Sequence, residues 1–286
     1  MILMPDWNAD SVIELFLESA EIARRIKSAP RIEIKADRTP VSDADREIEA
    51  LLNRKLGAEN LLGEETFQKR DHGGLIRQLL HGKIWIVDPI DGTANFINRR
   101  PFWGISIGYA ENGTITRGGI YLPETGQLML TGDDGNTLYA GPGFPYPEES
   151  ELKRVLAPAR HPNREFNETS CVNLSQIFTK KGVFTGKNPV VTIGSCICSG
   201  MDLLLGRDAV YMTHAKLWDM AGMLPCLARL GFYSVNRSGL SLLSCRITAE
   251  LFQLEADSET PFALREMHWI GASRQAVETI MPLCRI

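Results

Sequence analysis

The sequence predicts a layered protein of the α+β or α/β class, and three observations support this prediction. Two stretches with helical periodicity come first, at residues 11–23 and 42–57. Residues 84–139 then read mostly as short strands separated by turns. Beyond a cluster of proline and glycine at 141–147, helical and extended patterns alternate. We therefore expect a mainly β first half behind two leading helices, followed by a mixed second half.

The composition is that of an ordinary globular protein. The 286 residues are 44% hydrophobic and 23% charged, which permits a sizeable core in one large domain or two close-packed halves. The net charge is −4 without a block of lysine and arginine, so we expect neither nucleic acid nor a membrane surface as a partner. No apolar run approaches the ~20 residues of a membrane span. The N-terminal stretch MILMPDWNAD lacks the basic lead of a signal peptide, so we expect a cytoplasmic protein.

The two leading helices are predicted from caps and periodicity. A capping-box pattern at Ser11 and Glu14 marks the start of the first helix, and a short extended piece at 31–35 follows it. The second helix is expected from Ser42 to Gly57. Its apolar face is formed by Ile48, Leu51, Leu52 and Leu56.

The strands of the first half are short, and Asn112-Gly113 is a strong hairpin signal between two of them. In the second half we expect strands and helices in turn. Over the whole chain, the strands are predicted at 84–87, 103–110, 118–122, 127–130, 136–140, 190–193, 208–213, 231–235, 250–255 and 267–270. The later helices are predicted at 197–205, 218–230 and 273–283.

The six cysteines are scattered through apolar context, and we interpret them as reduced core thiols. Cys196 and Cys198 could form a redox or metal pair. However, neither a second cysteine pair nor a nearby histidine accompanies them, which favours core thiols.

The stretch WIVDPIDGTANF, residues 85–96, places two acids after an apolar strand. Charge at the end of a buried strand, here on Asp88 and Asp91, is costly unless it is paired or bound to a metal. Gly92 permits a tight turn, and Thr93 then lies near a helix start, where free N–H groups attract anions. Two carboxylates beside an anion site indicate Mg²⁺ holding a phosphate, because hard oxygen ligands favour Mg²⁺. The alternative, an ordinary turn, leaves both acids unexplained.

Three other segments place acids where they could join this site. Glu64 and Glu65 follow an apolar pair and a glycine. Asp219 lies at the predicted start of a helix, where an N-cap is its alternative role. Asp45 falls on the apolar face of the second helix, and an acid on a buried face usually has a partner.

Together these segments resemble the inositol monophosphatase family, whose members are Mg²⁺-dependent, lithium-sensitive phosphomonoesterases. The resemblance runs from about Ile13 to Leu230. The motifs that carry it are Gly63-Glu64-Glu65, Asp88-Pro-Ile-Asp91-Gly-Thr93, Trp218-Asp219-Met-Ala-Gly222 and Thr39-Pro-Val-Ser42-Asp-Ala-Asp45. It implies an α+β fold, a layered α-β-α-β-α sandwich, and a homodimer. Within one catalytic unit, residues 1–145 would carry most metal ligands, and residues 146–286 would supply Asp219 and the alcohol side of the pocket.

The resemblance also implies two or three Mg²⁺ ions and hydrolysis by a metal-activated water. The first ion would be held by Glu64, Asp88 and the Ile90 carbonyl, and the second by Asp88, Asp91 and Asp219. A third, weaker site would involve Glu64 through water. Catalysis would fall to Thr93, its partner Asp45, and Glu64, which orient and deprotonate the water. Phosphate oxygens would be held by the backbone amides of Gly92, Thr93 and Ala94.

The substrate implied by the resemblance is a small phosphorylated metabolite. Gly194 and Ser195 match a family segment that lines the alcohol side of the pocket, although a helix N-cap is an alternative role for these two residues. The resemblance implies that Asp219 also contacts the substrate on this side. Met212 stands seven residues before Asp219, where the animal inositol enzymes have a glutamate that contacts inositol hydroxyls. A thioether accepts hydrogen bonds only weakly, which argues against inositol itself.

Several activities remain open on the sequence alone. The leading one is a phosphatase acting on inositol-1-phosphate or a related polyol or amino-alcohol phosphate. Histidinol phosphate, 3′-phosphoadenosine 5′-phosphate and fructose-1,6-bisphosphate are alternative substrates. A non-catalytic binding member of the family is a different class, and the complete acid set argues against it.

Overall fold

The computed structural model describes residues 6–35, 39–141 and 145–285. The helices are α1 (Ala9–Ile26), α2 (Asp43–Leu56), α3 (His72–His81), α4 (Thr93–Ile97), α5 (Glu149–Val155), α6 (Gln176–Lys181), α7 (Cys196–Leu204), α8 (Leu217–Ala221), α9 (Leu224–Arg229) and α10 (Arg274–Ile280). The strands are β1 (Ile32–Ile34), β2 (Pro40–Ser42), β3 (Leu61–Gly63), β4 (Lys83–Asp91), β5 (Gly104–Glu111), β6 (Thr114–Leu122), β7 (Gln127–Thr131), β8 (Thr137–Ala140), β9 (Ala157–Pro158), β10 (Cys171–Asn173), β11 (Val183–Phe184), β12 (Val190–Val191), β13 (Asp208–Thr213), β14 (Tyr233–Asn236), β15 (His268–Gly271) and β16 (Cys284–Arg285).

Two sheets form the frame of the molecule. The first has seven strands in the order β3-β4-β5-β6-β7-β8-β9, with β3 parallel to β4 and the remaining neighbours antiparallel. The second has five strands in the order β12-β10-β13-β15-β14, of which β12, β10 and β13 are parallel. Strands β1–β2 and β11–β16 form two small antiparallel pairs.

Three hydrophobic clusters define five layers. On β4, Trp85 and Val87 face α1 and α2, whereas Ile84 and Ile86 face a middle layer that contains α7, α8 and α9. The second sheet covers the other side of this middle layer, and α10 packs on its far face. The alternation of side chains along each strand therefore produces an α-β-α-β-α order, which confirms the expected α+β sandwich.

The leading helices follow the prediction closely, with one correction. Helix α2 has Ser42 as its N-cap and Gly57, at φ 88°, as its C-cap, as expected. Helix α1 begins at Ala9 rather than Ser11, because the Asn8 side chain accepts the Ser11 N–H and is the actual cap.

The predicted helix at 218–230 is wrong as a single element. The chain forms α8 and then α9, with Gly222 and Met223 between them. Pro225 lacks the N–H that a continuous helix would use. Gly222 lies so close to β6 that a Cβ there would be 2.3 Å from the Gly119 carbonyl oxygen.

Two smaller predictions have opposite outcomes. Asn112 and Gly113, both at positive φ (48° and 74°), connect β5 to β6 as the hairpin signal predicted. The expected strand at 250–255 is wrong, since there the described chain makes only an isolated bridge from Phe252 to Leu264.

The two halves of the chain are closely joined. Strand β9, from the second half, pairs with β8 and completes the first sheet. The division after residue 145 stays a prediction, and residues 142–144 of the proline and glycine cluster lie outside the described residues. Among the helices that the structure describes, none is long and apolar enough to cross a membrane.

Candidate active site

The two acids of WIVDPIDGTANF lie inside β4 rather than after it. The strand extends from Lys83 to Asp91, and its pairing with β5 shifts register between Asp88 and Asp91. Such an irregularity turns side chains away from simple alternation. Both carboxylates are buried, Asp88 at 1% and Asp91 at 7% exposure, and the Ile90 N–H donates to Asp88 Oδ1 at 3.0 Å.

Three acids from separate elements meet at this point. Glu64, Asp88 and Asp219 each present a carboxylate oxygen within 4.8 Å of the other two. Glu64 follows β3, which is the parallel neighbour of β4, so their carboxyl ends lie at the same edge. Asp219 is on α8, which packs against β4 and β5 from the middle layer. The sheet topology therefore brings together the acids that the motifs indicated.

Asp219 and Asp91 are each held by hydrogen bonds from the start of a helix. Asp219 Oδ2 accepts the Lys216 N–H at 2.8 Å, so this acid caps α8 from its third residue while it faces the site. Asp91 Oδ2 accepts the Ser195 hydroxyl at 2.5 Å and the Ile197 N–H at 2.9 Å. Ser195 is also the N-cap of α7, so the cap interpretation and the site interpretation are both compatible with its position.

The acids raise one another's proton affinity. Burial, and then the charges of Glu64 and Asp91, raise the pKa of Asp88 well above its usual range. Burial also raises the pKa of Asp219 to about 8, with Asp91 and Glu64 adding to the shift. The pKa of Asp91 rises to about 6 through burial, although its hydrogen bonds from Ser195 and Ile197 oppose the shift. Several buried carboxylates at one point strongly favour a compensating cation.

Lys35 supplies part of that compensation. Its Nζ donates to Glu64 Oε1 at 2.9 Å and to Glu65 Oε1 at 2.6 Å, and its side chain is only 17% exposed. Burial lowers the pKa of Lys35, but the charges of the two glutamates raise it more. Burial and the Glu64 charge raise the pKa of Glu65 to about 8.

Thr93 and Asp45 are partners, as the resemblance implied. The Thr93 hydroxyl is 3.0 Å from Asp45 Oδ1 and 3.0 Å from the Ile90 carbonyl oxygen. The Ser42 N–H and hydroxyl donate to the other oxygen of Asp45, at 2.9 and 2.6 Å. Asp45 is fully buried on α2, and burial raises its pKa to about 6.

Gly92 turns the chain from β4 into α4. It adopts φ 89°, and a Cβ there would lie 2.8 Å from the Phe102 carbonyl oxygen. Thr93 and Ala94 are the first residues of α4. Asn95 Nδ2 donates to the Ile193 carbonyl at 2.9 Å, which ties this turn to the segment that contains Gly194.

A cavity of about 320 Å³ adjoins the acids on the side of α7 and β13. Gly194, Ser195, Asp91 and Asp219 line it, which brings the predicted alcohol-side residues together with two of the acids. Thr39, the first residue of one of the family motifs, also lines the cavity. Six further residues of the wall were not predicted from the sequence: Asn173, Ser175, Gln176, Tyr211, Thr213 and His214.

Met212 lies on the opposite side of β13 from this cavity, so its thioether gives no argument against inositol as the leaving alcohol. It packs in the outer cluster with Val210 and Trp269, whereas Tyr211 and Thr213 face inward. The alternation of side chains along β13 could have predicted this, because it places Met212 on the face opposite to Tyr211 and Thr213.

The cysteines are free thiols in the structure. Cys196 and Cys198 are buried in the first turn of α7, and burial raises the pKa of both. These features agree with core thiols.

Comparison with known proteins identifies the family. The profile of the inositol monophosphatase family matches residues 9–265. Inositol monophosphatase 2 of Mus musculus is 27% identical over 247 residues, which cover 83% of each chain. A histidinol-phosphatase of Chlorobaculum parvum is 34% identical over 126 residues, 41% of this chain and 46% of that one.

Solved structures share the fold. The Thermotoga maritima IMPase superimposes with a TM-score of 0.67 at 19% identity, covering 96% of both chains. An IMPase/NADP phosphatase solved with Mg²⁺ and phosphate has a TM-score of 0.66 at 16% identity, covering 96% of this chain and 94% of its own.

The family match and the named relatives indicate a phosphoric monoester hydrolase. The chain belongs to the inositol monophosphatase family.

Proposed function

We propose that this hydrolase cleaves the monoester of a small polyol or amino-alcohol phosphate by attack of water, with Mg²⁺ as its cofactor. The observation that supports the proposal most strongly is a set of three carboxylates, from the turn after β3, from β4 and from α8, within 4.8 Å of one another. Buried acids repel each other, so their convergence in one place is costly without a cation. A protein that only binds a partner would have no use for a cluster of acids that destabilises the fold in this way.

The donor set suits Mg²⁺. Its members are carboxylate oxygens and one backbone carbonyl, which are hard ligands. We assign Glu64, Asp88 and the Ile90 carbonyl to one ion, and Asp88, Asp91 and Asp219 to a second. A third, weaker ion would involve Glu64. The related IMPase/NADP phosphatase solved with Mg²⁺ and phosphate supports this choice of cofactor. Mg²⁺ supplies positive charge that polarises the phosphate and acidifies water.

The chain's own residues position the reactants. The Thr93 hydroxyl, with its proton directed at Asp45, can accept a hydrogen bond from the attacking water. We assign Glu64, whose carboxylate meets those of Asp88 and Asp219, as the base that would take the proton. The backbone amides of Gly92, Thr93 and Ala94 hold phosphate oxygens at the turn into α4. Gly194, Ser195 and Asp219 line the space for the leaving alcohol.

The cavity lined by Gly194, Ser195, Asp91 and Asp219, here called the alcohol-side cavity, suits a small polar leaving group. Its volume of about 320 Å³ suits a small molecule, and its hydroxyl, amide and imidazole groups, which lie beside Leu174 and Ile177, can bind several hydroxyl groups. A solved IMPase/NADP phosphatase bound to D-inositol-1-phosphate supports inositol-1-phosphate as the first substrate to test. The partial likeness to histidinol-phosphatases supports histidinol phosphate as the second.

A substrate panel tests the proposal. Phosphate release is measured from inositol-1-phosphate, histidinol phosphate, fructose-1,6-bisphosphate and 3′-phosphoadenosine 5′-phosphate, each with Mg²⁺, with EDTA, and with Mg²⁺ plus Li⁺. We expect Mg²⁺-dependent, Li⁺-inhibited release that is fastest with one of the first two. Phosphate release that persists in EDTA, or none from any of the four, would contradict the proposal.

Two further properties are proposals. We expect a homodimer, on the family resemblance, and a cytoplasmic location, on the features of the sequence. Light scattering of the purified protein tests the dimer, because a monomer mass at micromolar concentration would exclude it.

A further inference from the structure

Helix α2 carries a second buried acid besides Asp45. Glu49 lies four residues later on the same face and is 1% exposed. None of the motifs that carry the family resemblance includes it. An unpaired buried carboxylate is costly, so its environment should contain the groups that hold it there.

Those groups belong to the turn that carries Glu64. Glu49 Oε2 accepts the Glu65 N–H at 2.8 Å, and Thr66 also donates to the Glu49 carboxylate. On the other side of Glu64, a Cβ added to Gly63 would lie 2.5 Å from both the carboxyl carbon and Oε1 of Glu49. The carboxylate therefore touches the backbone immediately before and after Glu64.

We propose that Glu49 is a positioning residue for the metal ligand Glu64. It fixes the backbone on both sides of Glu64, so that the Glu64 side chain points at Asp88 and Asp219. This inference rests on the proposed function, in which Glu64 binds Mg²⁺. Since Asp45 holds Thr93 from the preceding turn of α2, one helix face would align two parts of the site.

Mg²⁺ binding measured by titration calorimetry tests this role. Outer hydrogen-bond partners of metal ligands typically contribute about 10- to 100-fold in affinity, and we expect a loss of that order in Glu49→Ala. Saturating Mg²⁺ should restore most of its kcat. Glu49→Gln keeps an acceptor for the Glu65 N–H and should bind Mg²⁺ within about threefold of the native protein, well short of that loss.

Asp208→Asn is the matched control. Asp208, the first residue of β13, is also a buried acid, 4% exposed, and accepts a 2.8 Å hydrogen bond from Asn173 of β10. This variant should melt at a lower temperature without a change in Mg²⁺ affinity. Equal losses of Mg²⁺ affinity in Asp208→Asn and Glu49→Ala would show a general stability effect and overturn the positioning role.

A double substitution tests the geometry independently. Gly63→Ala should weaken Mg²⁺ binding in the native background, because the new methyl group displaces the Glu49 carboxylate. With Glu49→Ala already present, Gly63→Ala should cost little more, since the space is then open. Additive losses would contradict the proposed contact.

The outcomes separate this inference from the proposed function. If the native protein bound no Mg²⁺ and released no phosphate, the proposed function would fail. If the native protein bound Mg²⁺ and Glu49→Ala bound it equally well, only the positioning role of Glu49 would fail.

Discussion

Thr93 has one hydroxyl proton and two acceptors at 3.0 Å, Asp45 Oδ1 and the Ile90 carbonyl. Asp45 is itself held by two donors from Ser42, so its position does not depend on Thr93. The hydroxyl oxygen can therefore accept a hydrogen bond from water while its own proton stays within the protein. This arrangement is suited to orienting a nucleophile that has no covalent link to the enzyme.

Thr93→Ala should lower kcat by about 10²-fold, the usual cost of losing a group that positions a reactant. Thr93→Ser keeps the hydroxyl and should retain most of the activity. Both variants are assayed by phosphate release at saturating Mg²⁺. If Thr93→Ala were as active as Thr93→Ser, the hydroxyl would have no part in the reaction.

At the scale of elements, the break between α8 and α9 determines where Asp219 lies. Gly222 approaches β6, and its N–H donates to the Ser106 hydroxyl of β5 at 3.2 Å. The Ser106 hydroxyl in turn donates to the Trp218 carbonyl at 3.0 Å. These contacts fix the short helix α8 against the strands that carry the other acids.

Gly222→Ala should separate α8 from the sheet, because the added methyl group would lie 2.3 Å from the Gly119 carbonyl oxygen. We expect a loss of about 1–3 kcal/mol in the free energy of unfolding, typical of overpacking, together with weaker Mg²⁺ binding. Gly73→Ala is the control, because its nearest contact would be an ordinary 3.4 Å. Denaturant melts of both variants with and without Mg²⁺ give the comparison, and equal effects would contradict this account.

The sequence was informative where the determinants are local. Helix α2 was predicted at both ends because Ser42 and Gly57 are caps that act within one turn. The site acids were found because each lies in a short motif. The break between α8 and α9 was missed although Pro225 is a local signal for it. Its other cause, the contact of Gly222 with Gly119, is distant in the chain and could not be predicted.

The wall of the alcohol-side cavity was missed for a similar reason. Which face of β13 looks inward depends on the packing of Met212 beside Trp269, its partner on β15. Met212 was considered because it replaces a substrate-contacting glutamate. His214, which lines the cavity two residues later, was therefore not identified.

Across the molecule, the first sheet and α8 bring together a cluster of buried acids. The raised pKa values mean that the folded protein without metal holds protons that the unfolded chain would release. Such groups contribute stability below their unfolded pKa near 4, and this stability is lost as the pH rises through their folded pKa values. For Asp91 the folded pKa is about 6, and for Asp219 and Glu65 it is about 8.

The metal-free protein should therefore become less stable as the pH rises from about 5 to 8. Mg²⁺ should reverse most of this loss, because it replaces the protons. Thermal melts across this range in EDTA and in Mg²⁺ measure the effect. A metal-free protein that gained stability with rising pH would contradict the assignment of these acids to one buried cluster.

The most direct test of the central claim is the Mg²⁺ dependence of phosphate release in Asp88→Asn. Asp88 is the acid assigned to both ions, so this variant should lose nearly all activity at every Mg²⁺ concentration. Asp43→Asn is the control, since Asp43 lies at the start of the same α2 helix as Asp45 and accepts the Arg31 N–H outside the site. We expect Asp43→Asn to behave as the native protein does. An Asp88→Asn variant with native activity and native Mg²⁺ dependence would contradict the metal-dependent mechanism.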